Sequence, residues 1–280
     1  MRRLAVLADI HGNSTALRAV LTDLTKQGGT DAVLILGDLA VFGPDPVGVL
    51  NLLRQFGSAY YVRGNTDRYL VEENYPGRPD GDDWQSQVLA SFPWTAQQLG
   101  RTGLKFLADL PDRQLLRLSP QHTILAVHGS PRSDEENIRP DTPETELIKM
   151  MPGPWYNLLL CAHTHLPCDR TVAGRRIVNV GSVGLSFDGN PRASYVLLEL
   201  QPNGDYRIEF RRVSYDIEAV VRQLIAFNHP TAEVTAYNLR AARPLGQKLI
   251  YTDQMRQQRQ AVRTVIEKNL YRTEEVMEGP

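Results

Sequence analysis

Short apolar runs alternate with amphipathic segments from the start of this sequence, and this alternation restricts the fold more than any other feature. Arg3 to Ala8 and Ala32 to Leu36 are short runs of mostly aliphatic residues, as buried strands are. Between them, leucines and valines from Leu17 to Leu24 recur at helical spacing, after Asn13, which can cap a helix. Strand and helix in alternation are typical of an α/β domain.

The same plan continues along the chain. Asp45-Pro46 supplies a cap and a first-turn proline for a second helix, and Ala59 to Val62 is the third predicted strand. Thr95 with Gln98 resembles a capping box, which predicts a helix from there to about Leu110. The segment from Tyr75 to Asp83 is rich in Pro, Gly and Asp, so we expect a surface loop that can cover a site.

The later half of the sequence is rich in strand candidates. Few helical signals separate them, and the pattern turns helical again only after Val213. The predicted strands span residues 123–127, 156–162, 176–180, 193–200 and 206–210.

The composition is that of a folded domain: 280 residues, 42% of them apolar, with a formal net charge of −1. Apolar runs such as Leu158 to Ala162 are far shorter than the roughly 18 residues of a membrane span, and no signal-peptide core follows Met1. Cys161 and Cys168, the two cysteines, make neither a disulfide framework nor a CxxC motif. We therefore expect a cytoplasmic protein with no membrane partner and no broad nucleic-acid-binding face.

Five short polar motifs lie where predicted strands end. In α/β sheets, functional groups gather at the carboxyl ends of strands, because the loops there converge on one place. Two of the motifs space their polar residues at i and i+2, so that both side chains of each pair can face one site. The motifs are Asp9-Ile10-His11, Gly37-Asp38, Gly64-Asn65, His128-Gly129 and His163-Thr164-His165.

These motifs contain four of the six histidines, while His122 and His229 have surface-like surroundings in the sequence. Neutral imidazoles, carboxylates and an amide oxygen form a mixed ligand set that suits Mn, Fe, Co, Ni or Zn better than Mg or Ca alone. Each motif alone has an ordinary interpretation, as a capped turn, a tight turn or a buried histidine. Their joint occurrence in this order predicts a site for two transition-metal ions.

In these residues the sequence resembles the calcineurin-like metallophosphoesterase superfamily, whose signature runs D-x-H, G-D, G-N-[HC]-[DE], H-G and G-H-x-H. The resemblance extends from Met1 to about Leu200 and is strongest to the small bacterial branch of YfcE-like phosphodiesterases. It implies a four-layer α/β/β/α sandwich with the metals between strand ends.

The resemblance also implies a ligand assignment. Asp9, His11 and His165 would hold one ion, and Asn65, His128 and His163 the other. Asp38 would bridge both ions, and the family favours manganese among the candidate metals. Asp38 and Asn65 would thus belong to the catalytic centre, while Asp67 can either orient catalytic groups or stabilise a turn.

Two positions depart from the family signature. Thr66 stands where the family has His or Cys after the motif asparagine, so the usual donor of a proton to the leaving group cannot be carried over. Ala162 replaces the glycine before the His-x-His pair, a change between small residues that we expect to be tolerated.

The expected reaction is attack of a metal-bridging hydroxide on the phosphorus of a small phosphorylated substrate, without a phosphoenzyme. Arginine matches phosphate oxygens well, and Arg63, Arg68, Arg132 and Arg192 are the candidate substrate-binding residues. Hydrolysis of dinucleoside polyphosphates and a non-catalytic, protein-binding role on the same fold are the alternatives. A protein serine/threonine phosphatase is disfavoured because G-N-H-E is missing.

The sequence divides into residues 1–245, the phosphoesterase domain with its motifs in residues 1–200, and a helical extension at residues 246–280. From Gln247 to Leu270 the extension has good helix formers but a thin apolar stripe. Such a helix is marginal alone, so we expect it to dock on the domain or, as a homo-oligomer contact, on a second subunit.

Overall fold

The computed structural model describes residues 2–76 and 84–245, in which it places ten strands and seven helices. Most of the predicted loop over the site, at residues 77–83, and the predicted C-terminal helix at residues 246–280 lie outside the described residues, as does the predicted domain boundary. No helix in the described part of the chain is long and apolar enough to cross a membrane.

The strands form two five-stranded sheets. The first has the order β10-β9-β1-β2-β3, and the second has the order β4-β5-β6-β8-β7. The strands are β1 (Arg3–Leu7), β2 (Ala32–Ile35), β3 (Ala59–Tyr61), β4 (Arg113–Arg117), β5 (Thr123–Val127), β6 (Leu158–Cys161), β7 (Cys168–Val172), β8 (Arg175–Asn179), β9 (Ala193–Leu200) and β10 (Tyr206–Val213).

Each sheet combines three parallel strands with two antiparallel ones. β1, β2 and β3 run parallel, and β9 and β10 extend this sheet as antiparallel strands. In the second sheet β5, β6 and β8 are parallel, whereas β4 and β7 close the two edges. Strands that run parallel end at the same edge of a sheet, so the loops that follow them lie side by side.

Most of the helices cover the outer faces of the two sheets, and the last two pack on each other. They are α1 (Ser14–Lys26), α2 (Pro46–Leu53), α3 (Asn65–Glu72), α4 (Trp84–Ala108), α5 (Glu144–Met150), α6 (Ile217–Ala226) and α7 (Ala232–Ala241). α1, α2 and α4 pack on the first sheet, and α5 packs on the second. α6 and α7 pack on each other around Leu224 and Leu185.

The two sheets face each other across a fully apolar core. Leu4, Val6 and Leu34 of the first sheet pack against Ile124 and Leu160 of the second, all 0% exposed. Burial of this kind stabilises the fold by roughly 25 cal/mol per Å² of apolar surface. The arrangement is α/β/β/α in four layers and confirms the predicted fold class; among the described helices, α5 forms the outer layer on the second sheet.

The two predicted helix caps are confirmed. Asn13 accepts a hydrogen bond from the backbone N–H of Ala16 with its side chain, and Asp45 does the same for Gly48. Both residues stand between a strand end and a helix of the first sheet, so each cap also fixes how the chain leaves the site.

The predicted capping box at Thr95 is wrong. Thr95 lies inside α4, which begins at Trp84, and its hydroxyl donates to the carbonyl oxygen of Ser91 one turn earlier at 2.7 Å. A threonine can satisfy its hydroxyl in this way within a helix, so the cap pattern alone does not mark a helix start. The helix changes direction at Gly100, whose φ of 57° only glycine adopts readily.

The expected surface position of His229 is also wrong. Its side chain is 3% exposed and packs edge-on against Trp94, with ring centroids 4.4 Å apart. The short loop between α6 and α7 folds this residue back onto α4, a tertiary contact that local sequence does not indicate.

Candidate active site

The five polar motifs converge where the strands of both sheets end. Asp9 and His11 follow β1, Asp38 follows β2, and Asn65 is the first residue of α3 just after β3. From the second sheet, His128 follows β5, and the His163 and His165 pair follows β6. The structure therefore brings together all seven side chains that the sequence singled out as metal ligands.

Two glycines allow the loops after β2 and β3 to touch. A Cβ on Gly37 would overlap the backbone of Gly64, and a Cβ on Gly64 would overlap the carboxylate of Asp38. Gly37 also has a φ of +87°. This contact sets Asp38 beside Asn65, which explains why both motifs place a glycine before the polar residue.

One half of the cluster contains Asp9, His11 and His165. The Nε2 atoms of His11 and His165 lie 3.2 Å apart, and His165 Nε2 lies 3.6 Å from Asp9 Oδ1. All three side chains are at most 6% exposed. Ligand atoms from these residues can be chosen within 4.8 Å of one another, which is close enough to share one ion.

The other half contains His128, Asn65 and His163. The amide oxygen of Asn65 lies 2.9 Å from His128 Nε2 and 3.0 Å from His163 Nδ1. Asp38 stands between the two halves, because its Oδ2 is 3.7 Å from His11 Nε2 and 3.5 Å from His128 Nε2. Its other oxygen, Oδ1, accepts the backbone N–H of Thr66 at 3.0 Å.

Backbone carbonyls fix the orientation of three imidazoles. Nδ1 of His11 contacts the carbonyl oxygen of Val41 at 3.0 Å, and Nδ1 of His128 contacts that of Leu36 at 2.6 Å. Nδ1 of His165 contacts the carbonyl oxygen of Leu185 in the same way. A carbonyl only accepts, so a neutral ring must carry its proton on Nδ1 and present the Nε2 lone pair to the cluster.

The buried acidic side chains of the cluster favour a positive charge beside them. Both carboxylate oxygens of Asp9 are buried without a hydrogen-bond partner in the described part of the chain, and burial raises the pKa of this group well above its usual range. Although burial opposes it, Asp38 and Asp9 raise the pKa of His128 to about 10. Burial instead lowers the pKa of His11 and His165, which keeps these rings neutral. His128 in turn lowers the pKa of Asp38 despite the burial of that carboxylate, so among the described residues the acidic side chain that lacks a hydrogen-bonding or cationic partner of its own is Asp9.

The backbone is strained at five of these residues. Asp9, His11, Asp38, His163 and His165 all have positive φ, between 49° and 67°. Non-glycine residues in this region cost on the order of 1 kcal/mol or more each, and such strain concentrates at functional sites. The surrounding strands and carbonyl contacts hold these conformations in place.

Asp67 lies beneath the cluster. Its carboxylate accepts three backbone N–H groups, those of Asp38 at 2.8 Å, Leu39 at 2.9 Å and Gly64 at 3.0 Å. Both oxygens are used and the residue is 0% exposed. Of the two roles that the sequence left open, this geometry favours the structural one, which is to fasten the loop that carries Asp38 to the start of α3.

A cavity of about 360 Å³ opens beside the cluster. Thr66 lines it next to Asp38, and the hydroxyl of Thr66 is buried without a hydrogen-bond partner in the described residues. Aromatic side chains form much of the remaining wall, and α7 closes one side. Sequence reasoning missed these wall residues, because they come from widely separated parts of the chain and follow no local motif.

The four candidate phosphate-binding arginines lie elsewhere. Arg63, Arg68 and Arg132 line a second cavity, of about 270 Å³, that touches His128 from another side. Arg68 is held by Asp134 at 2.7 Å and by Glu135 at 2.5 Å, and Arg132 pairs with Glu136. Arg192 bonds Asn190 on an exposed turn. The structure thus gives none of the four a place on the wall of the larger cavity.

Comparison with known proteins gives the family context. Residues 2–203 match the model of the calcineurin-like phosphoesterase superfamily domain. The crystal structure of a metallophosphoesterase from Sphaerobacter thermophilus is similar, with a TM-score of 0.69 and 28% identity, over 86% of this chain and 99% of that one.

Two curated sequences extend the comparison. An uncharacterized protein of Methanocaldococcus jannaschii is 27% identical over 239 residues, which are 79% of this chain and 91% of that protein. A symmetrical bis(5'-nucleosyl)-tetraphosphatase of Photorhabdus laumondii is 40% identical over 67 residues, which are 24% of each chain.

Proposed function

The chain belongs to the calcineurin-like phosphoesterase superfamily, and on that basis we propose that it hydrolyses phosphodiester or phosphomonoester bonds at two divalent transition-metal ions held by the cluster. Membership of the family supports a hydrolase that acts on phosphate esters. The metal number, the ligand assignment and the reaction path are our proposal.

One observation carries the proposal: electron-pair donors face one another in the cluster. Nε2 of His11 and of His165 lie 3.2 Å apart, while the Nδ1 atom of each ring is engaged with a carbonyl oxygen. In the other half, although burial opposes it, Asp38 and Asp9 raise the pKa of His128 to about 10, and Nε2 of this ring lies 2.9 Å from the amide oxygen of Asn65, so positive charge is favoured there as well. The two neutral acceptors of His11 and His165 repel at this distance unless a cation lies between them.

The residues divide between two ions in the way that the family resemblance implies. Asp9, His11 and His165 would hold one ion, and Asn65, His128 and His163 the other. Asp38 would serve both ions, and the N–H of Thr66, which Oδ1 accepts, would orient its carboxylate. When bound, the ions would supply a hydroxide nucleophile near neutral pH and would polarise the phosphoryl oxygens. Nitrogen and oxygen ligands together suit Mn, Fe, Co, Ni or Zn, with manganese favoured by the family resemblance.

The chain's own residues orient this centre. The carbonyls of Leu36, Val41 and Leu185 fix three imidazole rings, and Asp67 fastens the loop that carries Asp38. The substrate would lie in the adjoining cavity, where Thr66 can donate a hydrogen bond to a phosphoryl oxygen. No phosphoenzyme is needed, because the nucleophile is a water-derived hydroxide.

Metal content and hydrolysis measured together test this proposal. Purified protein should contain close to two transition-metal ions per chain, and a chelator should remove the ions and the hydrolysis of an aryl phosphate together. Readdition of manganese should restore both. Full hydrolysis by protein in which elemental analysis finds no metal would overturn the proposal. A stable, metal-loaded protein that cleaves no phosphate ester would favour a non-catalytic role.

Hydrolysis of dinucleoside polyphosphates is the second candidate. The observation in its favour is the 67-residue similarity to a bis(5'-nucleosyl)-tetraphosphatase. That stretch is a quarter of either chain. Release of nucleoside diphosphate from diadenosine tetraphosphate, compared with cleavage of simple aryl esters, distinguishes the two candidates.

A further inference from the structure

The cavity beside the metal cluster is built mainly from aromatic rings and aliphatic side chains. Besides His11 and His163, its wall includes Phe42, Tyr69, Trp84, Phe92 and Phe187. Its volume of about 360 Å³ lies within the range of roughly 300 to 1,000 Å³ of small-molecule sites. A phosphate whose oxygens face the cluster would therefore place its organic group among these rings.

The rings are held in fixed positions by contacts with one another. Phe92 is fully buried and meets the edges of Phe42 and Tyr69, each at 5.9 Å between ring centroids. Phe187 stacks on the imidazole of His165 at 4.4 Å, with 14° between the ring planes. A wall that is already ordered loses little conformational freedom when a ligand binds.

Helix α7 closes the cavity with uncharged groups whose polar atoms are mostly engaged. The hydroxyls of Thr231 and Thr235 bond each other at 2.9 Å, and the side-chain oxygen of Asn238 accepts the N–H of Leu245 at 2.8 Å. Val234 adds an apolar surface between them. Among the described residues that line the cavity, none is a lysine or an arginine. Beyond the metal cluster, the described wall of this cavity offers no charge to a polyphosphate chain, and Arg68 and Arg132 of the second cavity are already paired with carboxylates.

We propose that this cavity binds the organic group of the substrate, and that this group is an uncharged aromatic ring system joined to a single phosphate. This inference rests on the proposed function, since it takes the cluster as the phosphate-binding end of the site. It selects aryl or arylmethyl phosphate esters over short alkyl esters, and both over polyphosphates. Ring stacking and burial of the ring would supply the selectivity.

Non-hydrolysable phosphonates test the binding step apart from catalysis. Benzylphosphonate, methylphosphonate and inorganic triphosphate are titrated into the manganese-loaded protein in a calorimeter. Benzylphosphonate should bind at least about tenfold more tightly than methylphosphonate, which presents the same charge to the cluster. Equal affinities for the two phosphonates, or tightest binding of triphosphate, would overturn the inference.

The same valine-to-tryptophan substitution, made once inside the cavity and once outside it, tests the role of the cavity. Val234→Trp places a large ring inside the cavity, and Val47→Trp makes the same change on α2, where Val47 is 41% exposed and outside the cavity. Val234→Trp should abolish the preference for benzylphosphonate while methylphosphonate still binds, and Val47→Trp should retain the preference. If Val234→Trp does not fold, Val234→Leu provides a smaller obstruction, and an unchanged preference in the folded variant contradicts the inference.

The outcomes separate this inference from the function on which it rests. Metal-dependent hydrolysis with no preference for the aromatic phosphonate would leave the proposed function intact and refute the aromatic cavity. Tight binding of benzylphosphonate by a protein that hydrolyses no ester would support the cavity and refute the proposed function.

Discussion

The carboxylate of Asp67 accepts the backbone N–H of Asp38 at 2.8 Å, which ties the residue shared by both halves of the cluster to the first turn of α3. The same carboxylate accepts the N–H groups of Leu39 and Gly64. Because β2 and β3 end side by side, this one side chain fixes two loops relative to each other. The position of Asp38 thus depends on a residue that does not face the cavity.

Asp67→Asn should lower stability. An asparagine side chain retains one acceptor oxygen, and its amino group would face at least one buried N–H donor. We expect a loss of about 1 to 3 kcal/mol in the free energy of unfolding, measured by urea denaturation. Asp112→Asn is the control, because Asp112 is 69% exposed and should change stability by less than about 0.5 kcal/mol. Equal stability of the two variants would show that the three N–H groups find other acceptors.

Asp38→Ala should remove both metal ions, because this side chain lies within 3.7 Å of histidines in both halves of the cluster. His122→Ala should leave both ions in place, since His122 contacts Asp205 and Tyr206 away from the cluster. Elemental analysis and aryl phosphate hydrolysis measure the two effects. Similar losses in both variants would mean that the ligand assignment is wrong.

Strain at Asp38 gives a separate prediction. The residue has a φ of 56°, a conformation that glycine adopts without the penalty of a Cβ. In metal-free protein, Asp38→Gly should therefore be more stable than Asp38→Ala by about 1 kcal/mol, measured by urea denaturation in a chelator. If the alanine variant is the more stable of the two, the positive φ is not retained in the metal-free protein.

Thr66 determines how the rate of hydrolysis should depend on the acidity of the leaving group. Its hydroxyl lines the cavity and can donate a hydrogen bond, but an aliphatic alcohol is too weak an acid to protonate a leaving group. Among substituted phenyl phosphates of similar size, those with more acidic phenols should be cleaved much faster. Thr66→His should raise the rate for the poorest leaving groups, whereas Thr66→Ser should not. A rate independent of phenol acidity would point to another proton donor or another slow step.

The sequence predicted which polar side chains lie together better than it predicted their surroundings. Asp9, His11 and Asp38 each follow a buried aliphatic run, so the ends of parallel strands could be read directly from local pattern. The wall of the cavity could not be predicted in this way. Phe42, Phe92 and Phe187 belong to different parts of the chain, and only the packed fold brings their rings to one place.

Edge strands and short helices were missed for physical reasons. Among the described strands, β4 and β7 each pair with one neighbour, and both consist largely of polar residues, as in Arg113–Arg117, so they lack the aliphatic runs of central strands. No helix was predicted at the glycine-asparagine motif, where a tight turn was the ordinary interpretation, although Gly64 directly precedes α3. There the side chain that stabilises the helix start is Asp67, three residues later.

The final prediction concerns His229, which lies outside the cluster at the start of the turn that leads into α7. Its Nδ1 accepts the backbone N–H of Thr231 at 3.2 Å, and its Nε2 is buried without a partner among the described residues. Burial lowers the pKa of His229 to about 4 from a usual value of 6.5. The folded protein therefore holds this ring neutral, and protonation at Nδ1 would also break the bond to Thr231.

The sign of the resulting pH dependence follows from proton linkage. Below pH 6.5 the unfolded chain binds a proton at His229 that the folded chain does not bind, so the stabilisation from the neutral ring is complete above pH 6.5 and is lost as the pH falls towards 4. The loss should be on the order of 3 kcal/mol in the free energy of unfolding. His229→Gln cannot be protonated and should lose correspondingly less stability over this range in urea denaturation, whereas Phe227→Gln, at an exposed position of the same turn, should follow the wild type. Identical pH profiles for His229→Gln and wild type would show that the ring is already protonated in the folded protein or reaches solvent through the turn.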